Sequence, residues 1–124
     1  MTAGYRQDVW SVMKCADAFV STSDFEGRPN AVVEAMGSGC PLALSDIPQH
    51  REVAGDAHAE FFRAGDPAAG AAAVERVLSL TPEERAARAR RCDDVVSRFS
   101  VEAMTRAYTE VYRLAVGPRA GAPR

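Results

Sequence analysis

Two carboxylates, Glu26 and Glu34, stand eight positions apart in a segment with the sequence E-G-R-P-N-A-V-V-E. The glycine and proline between them predict a turn that leads into a helix, with Pro29 in the first helical turn, where its missing N–H costs nothing. Glu34 then lies just over one turn into the helix, near the end where unpaired N–H groups and the helix dipole favour anions. The segment therefore combines acceptors for hydroxyl groups with donors for phosphate oxygens, which suits a sugar nucleotide.

A longer run that contains both carboxylates carries a family resemblance. Residues 26–46 match the pattern E-G-x-P-N-x-x-x-E-A-M-x-x-G-x-P-x-x-x-S-D, which resembles the signature of retaining glycosyltransferases of family 4 (group 1). Weaker matches occur in the family's order: G-Y-x-x-D-V at 4–9, A-D-x-F-V at 16–20, R-E-V at 51–53, G-D-P at 65–67, and the closing helix at 99–100 and 108–114. The resemblance covers about residues 4–116 and implies the C-terminal part of the donor-binding domain of a GT-B enzyme, which has two Rossmann-like domains.

The resemblance implies a role for each carboxylate. Glu34 aligns with the glutamate that accepts hydrogen bonds from the donor's ribose hydroxyls, since a carboxylate accepts two hydroxyls through charge-assisted bonds. Glu26 aligns with the glutamate beside the transferred sugar and is the candidate catalytic residue. It would act by hydroxyl recognition or by stabilising positive charge at the anomeric carbon. The alternative for each is an ordinary solvated acid on a helix or loop.

The residues between the carboxylates are expected to contact the donor through their backbone. Arg28, Asn30 and Ala31 would offer N–H groups to sugar and phosphate oxygens, while the Arg28 side chain is alternatively only solvated. Gly27 permits close backbone approach or a positive φ. The implied donor is a UDP-, GDP- or ADP-sugar, and neither a metal ion nor another cofactor is expected. Base, sugar and acceptor are not identified by these residues.

Composition narrows the classes of partner. A net charge of −2 argues against binding to nucleic acid or to an anionic membrane surface. No signal peptide and no apolar run near the ~18 residues of a membrane span is present. These features predict a cytoplasmic protein, with peripheral membrane association as a further option for a full-length form.

Other residues with chemical potential lack a matching pattern. The cysteines have no metal-ligand spacing and are predicted to be buried or partly buried thiols in a reducing compartment: Cys15, Cys40 and Cys92. His50 and His58 have no partner at metal or triad spacing and are predicted to lie at the surface. Asp46 is predicted equally as part of the site entrance or as a helix N-cap or Asx turn. The arginines at 85–91 are flanked by acids and predict a solvated helix face.

The periodicity and the turn residues predict an α/β fold. Strands are expected at 18–21, 41–44 and 59–62, and helices at 8–16, 29–38, 48–53, 67–80, 82–98 and 101–116. Thr81 and Glu84 predict a capping box, and Ser100 a second cap. The result is a partial Rossmann-like parallel sheet of about three strands, with flanking helices and two C-terminal helices. Residues 1–116 form the domain and residues 117–124 a disordered tail.

The strand count leaves open what the chain does alone. The resemblance assigns the strands to positions 4–6 of a six-stranded domain, which is half of a GT-B C-terminal domain, and strand 18–21 would be an exposed edge. The family's Arg–Lys pair for the diphosphate has no counterpart, so activity of the isolated chain is doubtful. One hypothesis is a fragment or truncated transferase that carries the E-x7-E half-site. Alternatives are an interaction module or an inactive fragment that docks on a separately encoded half or self-associates through strand 18–21, and, ranked lowest, a GT-B epimerase or phosphorylase.

Overall fold

The computed structural model describes residues 4–117. Within them, strands alternate with helices as the sequence predicts. The strands are β1 (Phe19–Ser21), β2 (Leu42–Ser45) and β3 (Ala59–Phe62). The helices are α1 (Val9–Cys15), α2 (Asn30–Gly37), α3 (Pro48–Val53), α4 (Pro67–Leu78), α5 (Pro82–Val96) and α6 (Val101–Val116), with a 3₁₀ turn (Ser97–Phe99) between α5 and α6.

The three strands form one open parallel sheet in the order β1-β2-β3. The register pairs Phe19 with Leu42 and Leu42 with Ala59. Because the strands are parallel, their carboxyl ends meet at one edge of the sheet, where the loops that bind ligands in such folds begin. The α/β fold with a partial Rossmann-like sheet and flanking helices is confirmed.

The central strand, β2, is fully buried because helices cover both faces of the sheet. On one face, Leu42 and Leu44 belong to a core cluster with Met36 of α2 and Cys92 of α5. On the other face, Ala43 clusters with residues of β3 and α4. Burial on both faces explains the continuous apolar run of this strand. Because β2 is packed on both faces, it holds the residues at its carboxyl end in a fixed position.

Helix starts follow the predicted cap chemistry. The Thr81 hydroxyl accepts from the Glu84 N–H at 3.2 Å, and the Glu84 carboxylate accepts from the Thr81 N–H at 2.8 Å, which confirms the capping box. Ser100 caps α6 by accepting from the Ala103 N–H at 3.1 Å. These bonds satisfy N–H groups that the first helical turn leaves without an intrahelical partner.

Several boundaries differ from the sequence prediction. Pro29 is the N-cap of α2, not its first helical residue, and the helix predicted to extend to residue 98 ends at Val96, where the 3₁₀ turn begins. Gly117, predicted as the start of the tail, ends α6 with φ 66°. The other predicted tail residues, 118–124, lie outside the described part.

Two surfaces of the described chain are left without a covering layer. The β1 strand pairs only with β2 among residues 4–117, and its Val20 side chain is exposed. Helix α6 contributes no buried residue, although it carries Met104, Tyr108 and Val111 along one side. No helix between residues 4 and 117 has the length and apolarity needed to span a bilayer.

The structure corrects three predictions about individual side chains. Cys15 is exposed, whereas Cys40 and Cys92 are buried as expected. His50 is completely buried, not at the surface. Arg88 is not on a solvated face, because it donates to Glu60 on β3 across 2.6 Å with both side chains partly buried. For His50 and Arg88, the error concerns a contact with a residue distant in sequence, Ser21 and Glu60 respectively.

Candidate functional site

Glu26 lies in the loop that joins the carboxyl end of β1 to α2. Its carboxylate is partly buried and accepts a hydrogen bond from the Ser23 hydroxyl at 2.6 Å. The loop is fastened to the sheet because the Ser45 hydroxyl, at the end of β2, donates to the Ser23 carbonyl at 2.6 Å. Glu26 is therefore held at the edge of the sheet by a side chain from its own loop.

Glu34 lies on α2, in the second turn from its start, and is partly buried. Within residues 4–117 its carboxylate accepts no hydrogen bond, while its backbone carbonyl accepts from the Ser38 N–H at 3.0 Å in the ordinary helical manner. A carboxylate with open acceptor positions, supported by a packed helix, can accept two neighbouring hydroxyl groups.

A groove of about 350 Å³ runs beside Glu34 along the outer side of α2. Its walls include Trp10 of α1 and Phe99 of the 3₁₀ turn, and Arg28 and Asn30 line it as well. The Arg28 guanidinium lies 5.5 Å from the centre of the Phe99 ring, which places a cation and two aromatic rings near the carboxylate. The structure thus brings three of the predicted site residues together.

Glu26 is not part of this groove, and the remaining predicted residues occupy different local environments. Gly27 is exposed, and its φ is not positive, so of the two predicted alternatives the structure does not adopt the positive φ. A side-chain atom at Gly27 would meet nothing within 4 Å, which leaves open space for another molecule. Close approach of a ligand to the backbone at Gly27 therefore remains a prediction.

The backbone donors at the start of α2 are only partly available. The Asn30 N–H, predicted to face the donor, instead donates to the Arg28 carbonyl at 2.8 Å. Val32 and Val33 both donate to the Pro29 carbonyl. Among the described residues, the Ala31 N–H has no acceptor and Ala31 is exposed. Ala31 is thus the first backbone donor that a phosphate or sugar oxygen would find on this helix.

His50 is a buried polar residue that the sequence analysis missed. Its Nδ1 lies 2.8 Å from the Ser45 carbonyl oxygen, and its Nε2 lies 3.3 Å from the Ser21 hydroxyl. A signal was present, since Pro48 begins α3 and helix side chains lean toward the N-terminus, here toward the end of β2. Periodicity alone did not reveal it.

Asp46 follows β2 but is already paired with another part of the chain. Arg51 donates to both Asp46 oxygens, at 2.7 and 2.9 Å, and to Asp56 at 2.6 Å. The hydrogen bond from Arg51 lowers the pKa of Asp46 below its ordinary value. A concavity of about 610 Å³ beside this pair is larger than the Glu34 groove but contains neither motif carboxylate. The candidate site predicted from the sequence, at Glu26 and Glu34, therefore lies apart from this concavity.

No group of three or more metal-binding side chains forms within residues 4–117. The arrangement offers carboxylates, the open N–H of Ala31 and the Arg28 cation, which are groups that recognise hydroxyl and phosphate oxygens.

Comparison with known proteins bears on this assignment. The family model described as "Glycosyl transferases group 1" matches residues 1–80, which include both carboxylates. An Escherichia coli protein, "UDP-Gal:alpha-D-GlcNAc-diphosphoundecaprenol alpha-1,3-galactosyltransferase", is 41% identical over 44 residues. This match covers 36% of the chain and 11% of the relative, so the chain corresponds to only about a tenth of that enzyme. Because the family model matches more than half of the 124 residues, the chain belongs to the group 1 glycosyltransferases.

Proposed function

We propose that the chain takes part in glycosyl transfer from a nucleotide sugar with retention at the anomeric carbon, and that it supplies the Glu26–Glu34 half of the donor site. The observation that carries the proposal is the Glu34 carboxylate, which lines a groove with Arg28 and Asn30 and accepts no hydrogen bond from residues 4–117. In a group 1 glycosyltransferase, an open acceptor on a rigid helix suits the paired hydroxyls of ribose.

Glu26 serves the reacting end of the donor in this proposal. During transfer, the bond between the anomeric carbon and the diphosphate oxygen breaks, and a bond to an acceptor hydroxyl forms on the same face of the sugar. The diphosphate leaves with the electron pair, and the proton of the acceptor hydroxyl passes to an oxygen of the departing diphosphate. A fixed carboxylate near the anomeric carbon stabilises the positive charge that develops there. The Ser23 hydrogen bond keeps Glu26 in place for this role.

The donor's phosphates would meet the start of α2. The exposed Ala31 N–H and the positive end of the helix dipole both favour an anion there. The open space at Gly27 lets a sugar approach the backbone without steric conflict. We take a UDP-sugar as the first donor to test, because the related E. coli enzyme is named for UDP-Gal.

Calorimetric titration of the 124-residue chain tests the proposal. Wild-type protein is titrated with UDP-galactose, UDP, GDP and ADP, and we expect one of the nucleotides to bind. Glu34→Gln should weaken that binding roughly tenfold or more, since hydrogen bonds to a charged group contribute about 1.5–3 kcal/mol. Glu75→Gln is the matched control, because Glu75 is exposed on α4, away from the groove. Equal losses in both variants, or no binding to any nucleotide, contradict the half-site.

A second function is favoured by one observation, the open edge of β1. Val20 is 43% exposed, and one side of the strand has no partner within residues 4–117. Such an edge offers backbone groups to another strand. If the chain is a docking module, sedimentation should show self-association or complex formation that Val20→Lys abolishes. A monomer at every concentration, with no partner strand bound, argues against docking.

A further inference from the structure

Three short hydrogen bonds connect α3 to the Glu26 carboxylate. His50 Nδ1 lies 2.8 Å from the Ser45 carbonyl oxygen, the Ser45 hydroxyl donates to the Ser23 carbonyl at 2.6 Å, and the Ser23 hydroxyl donates to Glu26 Oε1 at 2.6 Å. We call these four residues, His50, Ser45, Ser23 and Glu26, the serine–histidine network. Every link lies at a typical or short hydrogen-bond distance.

The hydrogen positions follow from what each group can accept. A carbonyl oxygen has no hydrogen to give, so His50 Nδ1 is the donor to Ser45. In the neutral ring Nε2 is then the acceptor, and the Ser21 hydroxyl donates to it across 3.3 Å. The imidazole thus joins the ends of β1 and β2 through opposite ring nitrogens, at the place where the Glu26 loop departs.

Burial makes this connection specific. His50 and Ser45 are both 0% exposed, so water does not replace the bonds that they make. A buried histidine is tolerated only when its ring nitrogens are paired, because an unpaired polar group in the core is strongly unfavourable. An apolar residue would fill the same volume more simply. A histidine at this buried position indicates that its hydrogen bonds fix how the ends of β1 and β2 are oriented.

We propose that His50 is a positioning residue which, through Ser45 and Ser23, sets the orientation of the Glu26 carboxylate. Ser23 occupies Oε1, and no described donor occupies Oε2. The serine–histidine network therefore presents Glu26 Oε2 in a defined direction. The inference deepens the proposed function, on which its ligand arm rests, because it states how Glu26 is oriented toward the transferred sugar.

Substitutions at His50 separate positioning from mere stability. His50→Asn keeps a donor near the position of Nδ1, so it should retain the bond to Ser45, whereas His50→Leu removes it. Ser23→Ala removes the last link directly. Val77→Ala is the matched stability control, because Val77 is also 0% exposed but belongs to the core cluster of α4 and makes none of these hydrogen bonds.

The first readout is the ratio of the dissociation constants for UDP and UDP-galactose, which isolates the contribution of the sugar. We expect His50→Leu and Ser23→Ala to reduce this contribution about tenfold, and His50→Asn to restore most of it. In a variant that already carries His50→Leu, the further substitution Ser23→Ala should change the ratio of dissociation constants little, because both substitutions act through the same link. A ratio in His50→Leu that matches wild type or Val77→Ala overturns the proposal.

The second readout needs no ligand and separates failure of this inference from failure of the proposed function. We would record the side-chain carboxyl ¹³C resonance of Glu26 in the free chain. His50→Leu should shift and broaden it, while His50→Asn and Val77→Ala leave it near the wild-type position. If wild-type protein binds no nucleotide sugar, the proposed function fails, and this resonance alone decides the positioning role. An unchanged resonance in His50→Leu refutes that role.

Discussion

The two motif carboxylates differ in how the protein holds them. Glu26 lies in a loop and accepts a short hydrogen bond from Ser23, whereas Glu34 lies on α2 and accepts none from residues 4–117. The loop residue needs a bond to be positioned, because its backbone is not part of a helix or strand. The helix residue is positioned by packing, since its neighbours Ala35 and Met36 are completely buried. Two means of support therefore serve one motif.

A third carboxylate, Glu60, extends the comparison to full pairing. It accepts from Arg88 at 2.6 Å and from Arg76 at 2.8 Å, so both of its oxygens are occupied. Glu60, Glu26 and Glu34 thus have two, one and no described donors respectively. A carboxylate with two donors contributes to the fold, and one with none is open to a ligand. The contribution of each to stability should fall in that order.

The largest effect tests the packing that supports Glu34. Met36→Ala should lower the free energy of unfolding by about 2–5 kcal/mol, because it leaves a cavity at a 0% exposed position under α2. Met104→Ala, on the exposed side of α6, should change it by less than about 0.5 kcal/mol. Urea denaturation followed by circular dichroism measures both. Similar values for the two variants would show that α2 is not the rigid support that the comparison assumes.

The next effect concerns the fully paired carboxylate. Glu60→Gln should cost about 1.5–3 kcal/mol, since it removes charged hydrogen bonds and leaves the partly buried Arg88 without its acceptor. The exposed Glu75 provides the control, and its change to Gln should cost under about 0.5 kcal/mol. Denaturation at neutral pH measures the difference. If both variants are equally stable, the number of hydrogen-bond donors does not determine how much each carboxylate contributes to stability.

The same pairing gives the chain a pH dependence. Partial burial alone would raise the pKa of Glu60, but hydrogen bonds from Arg76 and Arg88 outweigh it and hold the pKa below the ordinary value of 4.5. The unfolded chain therefore binds the proton first as the pH falls, so this stability is present above about pH 4.5 and is lost below it. Glu60→Gln should flatten the stability profile in that acid range, as measured by thermal melting between pH 6 and pH 3 (roughly the span in which carboxylates titrate). An unchanged slope would contradict the pairing.

A smaller effect is expected at the singly paired carboxylate. Ser23→Ala should lower the free energy of unfolding by about 0.5–1.5 kcal/mol, because one hydrogen bond to Glu26 is lost. Ser11→Ala, on the exposed side of α1, is the control and should be nearly neutral. Chemical denaturation measures the stability of both. If the Ser23 variant is as stable as the Ser11 variant, the carboxylate of Glu26, like that of Glu34, contributes nothing measurable to the stability of the fold.

The smallest effect on stability is expected at Glu34. Glu34→Gln should change the free energy of unfolding by less than about 0.5 kcal/mol, because no described group donates to the carboxylate. Its proposed effect on nucleotide binding is much larger. Measuring denaturation beside calorimetry separates the two quantities. A large loss of stability would mean that Glu34 stabilises the fold, as Glu60 does.

Much of the fold could be predicted because its signals are local. The strand at Ala59–Phe62 and the helix at Val101–Val116 have the predicted bounds, and the Thr81 cap is present. Glycine and proline spacing and apolar periodicity act over a few residues, which a single sequence displays. The family was also predictable, since its signature is a continuous run.

The environments of individual site residues were less predictable. The Asn30 N–H was expected to face a ligand but is used by Arg28, because Pro29 begins the helix as a cap and not as its first residue. His50 was expected at the surface but lies beneath the strand ends. Each depends on a loop or helix angle that residue types alone do not specify.

The sequence by itself determined the motif, the order of strands and helices, and membership in the group 1 glycosyltransferases, because these depend on spacing along the chain. Only the tertiary structure decided which carboxylates are paired. The Ser45–Ser23 and Arg88–Glu60 bonds join residues 22 and 28 positions apart. Such contacts form only when the parallel sheet brings the strand ends together and helices pack across its faces. The physical reason is that burial and partner geometry belong to the folded chain and not to any local run of residues.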